Sequence, residues 1–203
     1  MLQAIPKQFT AFMGDRRLAS GPLAEVALAV VKASNKVAAE PIVIFDDANG
    51  RPIDLDLRGT ERDVVARLPP PPTHLEASAG DPPEPRGRGR PKLGVVAREV
   101  TLLPRHWEWL GAQPGGASVA LRKLVEEARR ANGDRDRSRA AKEAAYHFMS
   151  TMAGDLPGFE EASRALFADD RRRFGELIAG WPGDIRDHIV RLAFSDHADA
   201  PEA

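Results

Sequence analysis

Four cations, Arg86, Arg88, Arg90 and Lys92, alternate with Gly87, Gly89 and Pro91, so their charge sits on a backbone with almost no side-chain bulk. A thin cationic segment of this kind suits close approach to the phosphates that line a nucleic-acid groove. The basic run continues to Arg98 and Arg105. Between Arg86 and Arg105 six cations face Glu99 alone, a local balance of +5 in a chain whose formal net charge is -1. The whole-chain charge therefore hides a segregation that points to a polyanionic partner. The bland alternative is a solvated basic linker that serves solubility or protein contacts.

Chemistry of other kinds finds less to work with. His74, His106, His147, His188 and His197 show no metal-ligand spacing, and there is no phosphate loop ending in Lys-Ser/Thr and no Gly-x-Ser-x-Gly elbow. The neighbours Asp187 and His188 are the nearest thing to an acid/base pair, but adjacent residues on a helix do not face each other. No catalytic residue and no cofactor are expected. The one carboxylate cluster is Asp47, Asp54 and Asp56. With Asn49-Gly50 as a two-residue hairpin turn, Phe45 pairs with Asp54 and Val43 with Asp56, which places the three carboxylates on one face. Hard oxygen ligands of that kind suit a divalent cation, yet the spacing does not fit an EF-hand loop, and the expected reading is a solvated strand face without metal.

The elements that must position the basic residues follow from pattern. Ala97 to Pro104 is strand-like, Arg105 to Gln113 suits a short helix, and Ser118 to Arg130 a longer one. Ser118 would be the N-cap after Gly115-Gly116, and Val119, Leu121, Leu124, Val125 and Ala128 form the apolar stripe. Arg122, Lys123, Arg129 and Arg130 occupy the opposite face, and the free amides near Ser118 would hold a phosphate. Asn132-Gly133 closes this segment.

The core Arg88-Gly89-Arg90-Pro91 resembles the AT-hook, whose extended Arg-Gly-Arg-Pro lies in the minor groove of A·T-rich DNA. The order strand, helix, turn, helix resembles the ribbon-helix-helix family of bacterial repressors. That resemblance implies a homodimer whose paired strands enter the major groove. Two phases of the strand stay open. One turns Val100 and Leu102 inward and Glu99 and Thr101 outward; the other exposes Arg98, Val100 and Leu102. Together these readings name Arg86, Arg88, Arg90, Lys92, Arg98, Thr101, Ser118 and Arg122 as DNA-binding candidates, with duplex DNA, A·T-rich by preference, as partner. The alternative is a non-enzymatic adaptor with no DNA role.

The rest of the chain frames that element. Gln8 to Met13 and Arg16 to Ser20 form a hairpin, and Leu23, Val26, Ala27, Val30 and Val31 follow helical spacing after Pro22. Ile42 to Phe45 and Ile53 to Leu57 form a second hairpin, and Thr60 caps a short helix through Arg67. This is a small ββαββα unit over residues 1–68. Residues 69–85 are too rich in proline to fold and form a linker. Residues 86–132 carry the hook and the ribbon-helix-helix-like segment. Residues 138–195 read as a helical bundle: Ala141, Ala145, Phe148, Met149 and Met152 make one stripe, Phe159, Ala162 and Leu166 a second, Phe174, Leu177, Ile178 and Trp181 a third, and Ile185, Ile189 and Leu192 a fourth. The fold class is α+β in four segments, the first expected to be independent of the rest.

At 203 residues and 42% hydrophobic content the chain can bury a real core. It contains no cysteine, which fits a reducing cytoplasm, and no run long enough to span a membrane. The stretches GRGRPKLGVVAREVTLLPRHWEWL, GGASVALRKLVEEAR, FMSTMAGDLPGFEEASRALFADD and FGELIAGWPGDIRDHI together resemble an uncharacterised bacterial family, domain of unknown function 2239. The resemblance spans nearly the whole chain and implies a soluble bacterial protein, without an activity or ligand.

Overall fold

The computed structural model describes residues 7–34, 40–69, 96 and 98–194. The elements in chain order are β1 (Phe9–Met13), β2 (Arg16–Gly21), α1 (Leu23–Ser34), β3 (Ile42–Asp46), β4 (Arg51–Ile53), α2 (Glu61–Arg67), α3 (Pro104–Gly111), α4 (Gly116–Met152), α5 (Phe159–Phe167), α6 (Arg171–Ile178) and α7 (Gly183–Phe194). The chain is α+β. It divides into two units, residues 1–68 with 134–203, and residues 69–133.

In the first unit the four strands form one antiparallel sheet in the order β2-β1-β3-β4. Alternation along β1 and β3 gives the sheet two apolar faces. Phe9, Ala11 and Ile44 meet Val26 and Val30 of α1 on one side, and Val64 of α2 packs with Ala27 and Val31. Phe12 and Phe45 face the other way, into a core with Ala145, Phe148 and Met149 of α4, Leu166 of α5, Phe174 and Ile178 of α6, and Ile185 and Ile189 of α7. The Phe45 and Phe148 rings meet edge to face at 4.7 Å, and Phe12 lies 5.1 Å from Phe148. Each such ring, fully withdrawn from water, contributes roughly 2–3 kcal/mol.

That shared core corrects the expected domain boundaries. Residues 1–68 are not a free-standing domain beside a bundle at 138–195, because the sheet face built from Phe12 and Phe45 has its apolar partner in the last four helices. The bundle stripes themselves are as expected. Trp181 is buried as well, its indole Nε1 donating to the Pro157 carbonyl at 3.0 Å.

Three local expectations also change. The second hairpin does not turn on Asn49-Gly50 alone: Asp46 pairs with Arg51 and Phe45 with Pro52, two residues out of the expected register. The loop is organised by Asp46, whose carboxylate accepts from the Ala48 amide at 3.1 Å and whose carbonyl accepts from the Gly50 amide at 2.8 Å. A two-residue turn needs positive φ at both Asn49 and Gly50, whereas only Gly50 has it, at 65°. The strand then stops at Ile53, short of the expected Leu57. Second, α4 is one helix of 37 residues that runs through Asn132-Gly133. Asn132 spends its amide on the Ala128 carbonyl at 2.9 Å, within the helix, and ion pairs Glu126–Arg129 and Asp136–Arg139 brace either side. Third, described residues 98–103 form no strand, and Pro104 starts α3 instead, its ring suited to the first helical position. The Thr60 cap is as read: Thr60 and Asp63 make a reciprocal capping box on α2.

Candidate functional site

The second unit holds the described part of the basic element. Arg86, Arg88, Arg90 and Lys92 lie outside the described residues. Arg98 and Thr101 are exposed in the segment before α3, and Arg122 is exposed on α4, its Nε donating to the Ser118 carbonyl at 3.1 Å. Ser118 does not serve as the N-cap. The turn is made by Gly115 and Gly116, both at positive φ, and Ser118 sits two residues inside the helix, where its hydroxyl is not at the first free amide. Lys123, Arg129 and Arg130 are exposed along the same stretch. The described residues of this unit bury two apolar side chains, Leu110 and Ala120, while Val96, Val100, Leu103, Trp107, Trp109, Leu124 and Val125 stand exposed. Exposed apolar area thus lies beside exposed cations in this unit.

The first unit contains a buried polar cluster that the sequence did not disclose. Thr10 shares the sheet face of Phe12, Asp47 begins the β3–β4 loop, and His188 and Arg191 lie one turn apart on α7. Thr10 Oγ1 donates to Asp47 Oδ2 at 2.9 Å and receives Arg191 Nη2 at 3.0 Å; the same Nη2 is 3.0 Å from Asp47 Oδ2. Ser20 Oγ lies 3.1 Å from Thr10 Oγ1. His188, fully buried, packs its ring on Phe148 at 4.4 Å and Phe12 at 5.3 Å. Its Nδ1 is 2.8 Å from Arg191 Nη2, so that nitrogen must accept, which leaves the proton on Nε2, 3.6 Å from Asp47 Oδ1. Burial, and then the Arg191 charge, push His188 down to about 3, so the ring is neutral. Burial also raises Asp47 above the ordinary carboxylate range, against the opposing pull of Arg191 and Thr10.

This arrangement places the acid/base expectation differently. The partner of His188 is Asp47, from the far end of the sheet, and not its neighbour Asp187, which is engaged with Arg186 at 3.2 Å. The signal was present: His188 falls between Ile185 and Ile189 on the inward stripe of α7. The four groups are linked by hydrogen bonds through Asp47 Oδ2, Thr10 Oγ1, Arg191 Nη2 and His188 Nδ1, while Asp47 Oδ1 and His188 Nε2, 3.6 Å apart, are buried without a hydrogen-bond partner among the described residues. Asp46 next door is tied to Lys7 Nζ at 2.8 Å.

The expected carboxylate face does not form. With the register moved, Asp47 is drawn to Arg191, while Asp56 is held by Arg58 and Arg67, whose hydrogen bonds keep it well below the usual carboxylate range. Among the described residues no group of three His, Asp or Glu side chains is placed to hold a metal ion. Residues 54–58 line an open groove of about 470 Å³.

The fold and these two regions define an α+β protein with a sheet-helix core and a separate basic, apolar-surfaced unit. A family model described as an uncharacterized protein conserved in bacteria (DUF2239) matches residues 8–193, and the chain belongs to that family. No curated protein and no solved structure matches it. No helix among the described residues is long and apolar enough to cross a membrane.

Proposed function

We propose that the protein binds duplex DNA, A·T-rich by preference, in a transcriptional-regulatory or nucleoid-associated role in the cytoplasm, and performs no catalysis of its own. The observation that carries this reading is the segregation of charge: six cations against one anion from Arg86 to Arg105, followed by exposed Arg122, Lys123, Arg129 and Arg130 on α4. Neutralising phosphates with these groups releases counterions, which favours binding without any sequence readout. The Gly-interleaved arginines then suit a narrow minor groove. The Thr10–Asp47–His188–Arg191 cluster, whose ring and hydroxyl are fully buried in the sheet-helix interface, is better suited to holding the sheet on α7 than to turning over a substrate.

Gel-shift titrations of the full chain on A·T-rich and G·C-rich duplexes test this. Engagement of all six cations predicts a slope of log affinity on log salt of about −5. Arg88→Ala with Arg90→Ala should weaken binding about tenfold or more and erase the A·T preference. No retention of either duplex at low salt would overturn the reading. A second reading, a non-enzymatic adaptor, is favoured by one observation, the exposed Trp107 and Trp109 of α3. It predicts partner binding that is insensitive to salt.

A further inference from the structure

Helix α3 carries two exposed tryptophans, Trp107 and Trp109, and the residues three and four places from each differ in kind. Around Trp107 they are Leu103, Pro104, Leu110 and Gly111, of which Leu110 is the buried anchor of the helix. Around Trp109 they are Arg105, His106, Ala112 and Gln113. At about 3.6 residues per turn the two rings stand about 160° apart, so Trp107 shares the Leu110 side and Trp109 a polar one.

Trp109 is the more exposed ring, at 52% against 43%. Its backbone is held, since the Gln113 side-chain amide donates to the Trp109 carbonyl at 3.2 Å and the Ala112 amide to the Glu108 carbonyl. A lone indole ringed by a guanidinium, an imidazole and a carboxamide is a poor seat for an apolar protein surface, which would bury those three groups unpaired. It suits a nucleobase. The base stacks on the flat indole, while Arg105, one turn before it, meets a phosphate. Arg105 also ends the run that carries +5 from Arg86. Glu108 lies beyond Arg105, about 100° around the helix from Trp109, and so outside the stack.

A base stacked within a duplex offers no free face, so contact of this kind requires an unpaired strand. We propose that the Trp109 side of α3 binds single-stranded DNA, with a base stacked on the indole and Arg105 on the adjoining phosphate. The inference rests on the DNA reading of the cationic run and adds the state of the partner, and single strands test it apart from duplexes.

The experiment is a titration of the full chain with oligo(dT), with oligo(U) and with a duplex of the same length, read by tryptophan quenching and by anisotropy of a labelled strand. Circular dichroism confirms that helix content is kept. Oligo(dT) should quench the fluorescence. W109F should lose most of that quenching yet bind within about threefold of the wild type, because phenylalanine still stacks, whereas W109A should bind about tenfold more weakly and cost more than W107A. R105Q should lower the slope of log affinity on log salt by about 0.7, the share of one phosphate on a single strand. No quenching by oligo(dT), an unchanged affinity in W109A, equal quenching by the duplex, or tighter binding of oligo(U) would each overturn the proposal. So would DNA-free self-association that W109A abolishes, since a second copy would then occupy the ring. Duplex retention without oligo(dT) binding removes this inference and leaves the duplex reading standing; oligo(dT) binding without duplex retention does the reverse.

Discussion

The two units spend the same apolar residue types in opposite ways. In the first, Phe12, Phe45, Phe148, Met149, Leu166 and Ile189 are withdrawn from water around one sheet face; in the second, described residues bury Leu110 and Ala120 while two tryptophans, three valines and two leucines remain exposed. Apolar content alone therefore says little about where stability resides. Burial against a partner element decides it, and the described apolar side chains of the second unit largely lack one within the chain. Substitutions should consequently act on folding in the first unit and on association in the second.

The largest expected effect comes from acid. His188 is neutral when folded, with its titration at about 3, and charges near 6.5 when unfolded. Stability contributed by the neutral ring is complete above pH 6.5 and is lost as pH falls toward 3, on the order of 5 kcal/mol in total. Asp47 opposes part of this. Its folded affinity for a proton is raised, so the native state gains as pH falls through that raised value. Urea melts across this range should show the net loss, and His188→Gln should flatten it; an unchanged slope in the variant would remove His188 from the account. Next in size, Phe148→Ala should cost about 3–5 kcal/mol by emptying the site between Phe12, Phe45 and His188. It should lower a single cooperative transition for strands and helices together, and two transitions, only one of them moved, would mean that the sheet and the last helices are independent after all.

Gly50→Ala should cost about 2–4 kcal/mol in the same melts, because Gly50 has φ of 65° and a Cβ there collides with the Ala144 carbonyl. A neutral outcome would mean that the β3–β4 loop is not clasped to α4. Smallest, Trp107→Ala should shift the melting of the first unit by less than about 0.5 kcal/mol while weakening whatever the second unit binds. A large loss of stability would place Trp107 in a core and collapse the contrast between the units.

How far the sequence could be read divides along similar lines. The first hairpin, α1, the Thr60 cap and the three last helices were legible because each is written in local pattern, a period of two or of 3.6 with a stop at its end. The register of the second hairpin was not, because Asp46 outcompetes Asn49-Gly50 in organising the loop, and both readings use the same six residues. Nor was the continuity of α4 through Asn132-Gly133, where one glycine costs a helix only about 1 kcal/mol and the flanking residues on both sides are helical. The pairing of Asp47 with His188 spans 141 positions, and a pattern within either segment carries no trace of the other. Of the DNA candidates, Arg98, Thr101, Ser118 and Arg122 are exposed, and Ser118 lost its capping part to the glycines before it.

The division of the first unit between the two ends of the chain also sets an order of events during synthesis. Phe12 and Phe45 leave the ribosome roughly a hundred residues before Phe148, the ring they close upon. At about 5–20 residues per second, the aromatic face of the nascent sheet waits on the order of 5–20 s without its cover. During that interval the early strands hold only α1 and α2, on the other face. One side of the newborn chain thus stays without its apolar cover for seconds, and the fold closes only when the last helices emerge.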